Sequence, residues 1–159
     1  MKTILSSIFD GLFSAEIRKD SNRISNNLFF AATDPISGRI LMIEEDDYSI
    51  WGYMLSPDKE EIDFDGFLCT VVTPSKQKND LKKISKHRNP LPAQFANSYS
   101  YIKNLKRKDI RIHWKEKCAA ILVRNKVQLV MNMDTKTSYS KGLSTDCLYG
   151  KTLEEGKLD

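Results

Sequence analysis

Seven short apolar runs, each closed by turn-forming residues, constrain this chain more than any other feature. They are Asn27–Thr33, Arg39–Ile43, Ser49–Leu55, Ile62–Thr73, Ile110–Trp114, Cys118–Val123 and Val127–Met133. Runs of this length, rich in Ile, Val, Leu and aromatic residues, suit strands and are too short for helices. The polar Glu45-Asp46-Asp47 joins the second run to the third, and Arg124-Asn125-Lys126 joins the last two. Both connections read as hairpin turns, so neighbouring strands should run antiparallel.

Residues 3–16 follow a different period. Ile4, Leu5, Ile8, Phe9, Leu12 and Phe13 recur every three to four positions, which predicts an amphipathic N-terminal helix packed on a sheet. The expected fold class is therefore α+β, with a mainly antiparallel sheet of about six or seven strands and one N-terminal helix. At 159 residues the chain is one domain, 1–159, large enough to build a core without disulfides or metal. Residues 74–98 carry Pro74, Pro90 and Pro92, many cations and few apolar groups, and read as a long basic loop. A helical turn is expected within it near Leu81–Ile84, Ser98–Lys103 fits either helix or strand, and 150–159 reads as a frayed tail.

No stretch reaches the roughly 20 apolar residues of a membrane-spanning helix. Asp10 interrupts the first apolar run, which argues against a secretory leader. The chain is expected in the cytoplasm and off the membrane. Cys69, Cys118 and Cys147 are odd in number and far apart, so they read as reduced thiols, two of them buried in strands. With only two histidines, neither a zinc site nor any other cofactor is expected.

Charge is unevenly distributed. Residues 1–75 carry 6 basic and 13 acidic groups, whereas 76–117 carry 13 basic and 3 acidic. The acids concentrate in Glu44-Glu45-Asp46-Asp47 and in Asp58–Asp65. Two unlike patches either neutralise each other across the fold or leave one facing a partner of opposite sign.

Catalytic patterns are weak. Glu61–Gly66 imitates the start of a calcium loop, but its twelfth position is Val72 where a bidentate Glu is needed. Four successive carboxylates at 44–47 cannot all converge on one cation along a strand, because alternate residues face opposite sides. Ser138-Tyr139-Ser140-Lys141 fits Ser-x-x-Lys without its companion motifs. His113 alternates with Ile112 and Trp114, which turns it toward solvent and away from any nucleophile. No catalytic residue is assigned.

Met42-Ile43-Glu44-Glu45-Asp46-Asp47 leading into Trp51-Gly52-Tyr53, with Ile112-His113-Trp114, Ala119–Val123 and Tyr139-Ser140-Lys141, resembles a family of small bacterial proteins of unknown function. The likeness spans about residues 28–145 and departs from the family's pattern at Lys115-Glu116. It implies a fold and a bacterial origin, and no activity.

Two functions are expected from these features. The first is a non-enzymatic protein-binding module, most concretely a cytoplasmic immunity protein that blocks a cognate toxin. There Glu44, Glu45, Asp46 and Asp47 would steer the partner, and Trp51 and Tyr53 would anchor it. The alternative is a nucleic-acid-binding protein using 76–117, through Lys82, Lys83, Lys86, Arg88, Lys106, Arg107 and Lys108.

Overall fold

The computed structural model describes residues 27–74 and 84–154. Its first sheet is a meander of β1 (Phe29–Thr33), β2 (Ile40–Glu45), β3 (Ser49–Leu55) and β4 (Ile62–Thr70), paired antiparallel in chain order. The second sheet repeats the pattern with β5 (Ile110–Lys115), β6 (Cys118–Val123), β7 (Lys126–Asn132) and β8 (Thr137–Ser140). A two-residue strand, β9 (Lys151–Thr152), adds to β8 in parallel.

The turns follow from local chemistry. Between β1 and β2 the Asp34 carboxylate accepts the Ile36 N–H and the Ser37 hydroxyl, and Gly38 takes a φ of 77°. Arg124 and Asn125, between β6 and β7, have φ of 50° and 67°. Left-handed conformations at both central positions define the two-residue turn that matches strand twist.

Alternation along the first sheet sorts its side chains into two sets. Leu41, Ile43, Ile50, Met54 and Leu68 point inward and meet Ile110, Ala119, Ile121, Leu129 and Met131 of the second sheet. Met42, Trp51, Tyr53, Leu55 and Phe67 point the other way, under Leu91, Leu143 and Tyr149. The first sheet is thus covered on both sides, by the second sheet and by two irregular segments. Every residue of β3 is buried as a result. Gln128, also buried, ties the layers together: its side-chain amide donates to the Leu68 and Tyr99 carbonyls.

Close approach of the sheets depends on two glycines. A Cβ at Gly66 would lie 3.0 Å from both a Leu129 methyl and the Ser138 hydroxyl, which is held by its bond to the Asp65 carbonyl. A Cβ at Gly52 would meet the Met131 sulfur at 3.1 Å, the end of a flexible side chain. Gly66→Ala is expected to destabilise by about 1–3 kcal/mol and Gly52→Ala by less, because only Met131 can swing aside. Urea denaturation of the two variants checks that order.

Several expectations need correction. The described residues form a mostly β protein: they contain nine strands in two sheets, no α-helix and two 3-10 turns, at Ala93–Phe95 and Arg107–Asp109, in place of one sheet in an α+β fold. The helix expected at 3–16 lies outside the described residues, as do Leu81–Lys83 of the expected helical turn. Hydrophobic alternation reports which side of a strand is buried but not which sheet it joins, so two meanders read as one. β8 and β9 escaped because Thr-Ser-Tyr-Ser and Lys-Thr carry no apolar run. The tail is not frayed at its start, since Lys151 and Thr152 pair with β8 and Asp146 accepts the Thr152 N–H. Ser98–Lys103 is neither helix nor strand: Ser98 and Tyr99 sit in a turn closed by the Ser100 N–H donating to the Asn97 carbonyl, and Tyr101 makes a single parallel bridge to Thr70. Of the cysteines only Cys69 is buried, and none forms a disulfide. No helix among the described residues is long and apolar enough to cross a membrane.

Candidate functional site

The acidic run at the end of β2 is mostly half-buried. Glu44 lies on the outer side beside Met42, opposite Trp51, and burial, followed by the neighbouring Asp46, raises its carboxyl above the ordinary range. Burial also raises Glu45. One oxygen of Asp46 closes the hairpin by accepting the Tyr48 and Ser49 N–H groups at 2.8 and 2.7 Å. Its other oxygen is buried without a hydrogen bond, 3.9 Å from the His87 ring. Of the four acids only Asp47 is exposed. Trp51 has no exposed surface and Tyr53 has 7%. Neither of the two expected anchors therefore has an exposed face, whereas Glu44, Glu45 and Asp46 are half-buried and Asp47 is exposed. Clustered charge was taken as a mark of surface, whereas both sides of this sheet are covered.

The cover over Trp51 carries the opposite charge. The His87 ring sits 4.6 Å from the Trp51 ring, with Nε2 3.6 Å from Asp65 and Nδ1 facing Asp46 and the Tyr53 hydroxyl. Lys86 pairs with Asp65 at 2.7 Å and lies over Trp51. The carboxylates of Asp46 and Asp65 raise His87 to about 9 against burial, so it is an imidazolium at neutral pH. Burial opposes ionisation of Asp65, but His87 and Lys86 outweigh it and bring its carboxyl below the usual value. Burial, reinforced by Glu44 and the two aspartates, holds the Tyr53 phenol far above its ordinary value. Because each ring nitrogen faces a different carboxylate, these groups do not converge on one ion. Among the described residues no three such ligands do.

This arrangement ties residues 84–88 to the first sheet and gives stability a pH dependence. A raised folded pKa means that the contribution is complete below the unfolded value of 6.5 and is lost as pH rises through about 9. Discounted for the partial exposure of His87, it is on the order of 1–2 kcal/mol. His87→Gln should therefore be less stable than the parent at pH 6, with the gap closing by pH 10. An equal gap at both pH values, in parallel urea titrations, would refute the ionic account.

The basic block divides in two. Lys82 and Lys83 lie outside the described residues, Lys86 is committed to Asp65, and Arg88 is exposed on the outer side of the first sheet. Arg107 and Lys108 lie in the 3-10 turn Arg107–Asp109 that enters β5, and Lys106 is its N-cap, held by the Asp109 carboxylate, which accepts the Lys106 N–H at 3.0 Å. Alternation on β5 then exposes Arg111, His113 and Lys115. No ion pair engages Lys106, Arg107, Lys108, Arg111 or Lys115 among the described residues, whereas Asp63 and Asp65 are paired with Arg39, Lys136, Lys86 and His87. The two patches thus neutralise each other only in part, and the surplus positive charge lies on β5 and its approach.

Beside this charge runs a groove of about 350 Å³, lined by Phe30, Ala32, Arg107, Arg111, His113 and Trp114 with the β5 backbone between. It lies between β1 and β5, each the end strand of its sheet. The Arg107 guanidinium sits 3.8 Å above the centre of the Phe30 ring. Trp114, half-buried, packs against the inner core. Sequence reasoning identified Arg107 but missed Phe30, which is 77 positions away and reaches the groove only because the two edges meet. Comparison with protein-family models, with curated proteins and with solved structures finds no match.

Proposed function

We propose that this chain binds single-stranded nucleic acid in the groove between β1 and β5. The observation that carries the reading is the guanidinium of Arg107 sitting 3.8 Å over the centre of the Phe30 ring, at the edge of a basic strip with no ion-pair partner among the described residues. Single-strand binders combine cations that follow the phosphates with flat faces on which unpaired bases stack. Arg107 offers both in one side chain, and Arg111 and His113 line the same groove.

Fluorescence anisotropy with a labelled oligonucleotide of about 15 nucleotides tests the reading, that length covering a typical site. Saturable binding is expected, tighter for the single strand than for the same sequence as a duplex. Equal affinity for both would contradict stacking. Polyglutamate competing as well as unlabelled oligonucleotide would replace this reading with binding of an acidic protein surface.

A further inference from the structure

A second cavity, of about 580 Å³, opens between β4 and the β8–β9 segment, away from the β1–β5 groove. Its size falls in the range of small-molecule sites. Ile62, Phe64, Leu148 and Tyr149 supply apolar wall, and Lys86, Lys136 and Lys151 supply cations. We infer that it is a binding site for a small organic phosphate, an apolar or aromatic body carrying a dianionic head.

Three observations support that ligand class. The two carboxylates in the wall are already matched: Asp63 by Arg39 at 2.9 Å and Lys136 at 3.0 Å, Asp65 by Lys86 at 2.7 Å and His87 at 3.6 Å. Lys151 pairs with no carboxylate among the described residues, so the cavity has a surplus of positive charge. Leu148 stands 44% exposed at the same cavity, an apolar side chain beside charge with little of its own to pack against. A doubly charged head uses more than one lysine, and the apolar wall favours a ligand with a body over a bare anion.

Isothermal titration with phenyl phosphate, inorganic phosphate and phenol tests the assignment. Phenyl phosphate should bind most tightly, because only it engages both charge and apolar wall. Lys151→Glu, at an exposed position, should weaken it about tenfold, as reversal of a ligand-facing charge does. Leu148→Glu, also exposed, should do the same by placing a carboxylate at the cavity. Arg107→Glu/Arg111→Glu should leave phenyl phosphate unaffected, which separates this site from the nucleic-acid groove. Phenol binding as well as phenyl phosphate, no saturable binding, or full affinity in both the Lys151 and Leu148 variants would overturn the inference. So would loss of binding in the double arginine variant.

Discussion

Replacing Trp51 with alanine is expected to destabilise the protein by about 3–5 kcal/mol, the largest effect of any single substitution considered. Trp51 is fully buried on β3, itself a central strand with every residue buried. Its ring stacks at 5.6 Å on Tyr149, meets Phe67 edge-on at 5.5 Å and carries His87 at 4.6 Å. Removing the indole would leave these groups around a cavity that a strand paired on both sides cannot collapse to fill. A loss of that size approaches the whole net stability of a small domain, so the variant should be largely unfolded at 37 °C. Thermal denaturation followed by circular dichroism reads the effect. A shift within a few degrees of the parent would mean that the outer side of the first sheet is not packed as described.

Reversing both groove arginines, Arg107→Glu with Arg111→Glu, is expected to weaken single-strand binding about a hundredfold while leaving stability within about 1 kcal/mol. Both side chains are exposed and neither is ion-paired among the described residues, so the fold loses little. Arg107→Lys divides charge from stacking. It keeps the cation and removes the planar guanidinium that sits over Phe30, and should therefore recover only part of the lost affinity. Full recovery by lysine would reduce the groove to a plain electrostatic surface.

The sequence was informative where a side chain's role depends on its own strand. Seven of the nine strands, the β6–β7 turn at Arg124-Asn125 and the solvent-facing His113 all follow from local alternation and turn chemistry. It was uninformative where role depends on what covers a strand. Glu44 and Trp51 look alike as surface and anchor until Lys86, His87 and Tyr149 are seen above them. Nothing in the sequence places residues 84–88 there: three prolines and a run of lysines describe a loop, not its destination. The groove was half visible, since the basic turn before β5 is plain, but its partner Phe30 belongs to the opposite edge of the fold. Contacts between edge strands of different sheets leave no periodic trace.

The most direct test of the central claim is the salt dependence of single-strand binding by the unaltered protein. Release of counterions gives a slope of about −0.7 in log affinity against log salt for each phosphate contacted on a single strand. Two to four contacts, from Arg107, Arg111 and the adjoining lysines, predict a slope of about −1.4 to −2.8, or roughly a seven- to fiftyfold loss between 50 and 200 mM salt. Affinity that stays flat across that range, or no binding at its lower end, would contradict the assignment of the β1–β5 groove.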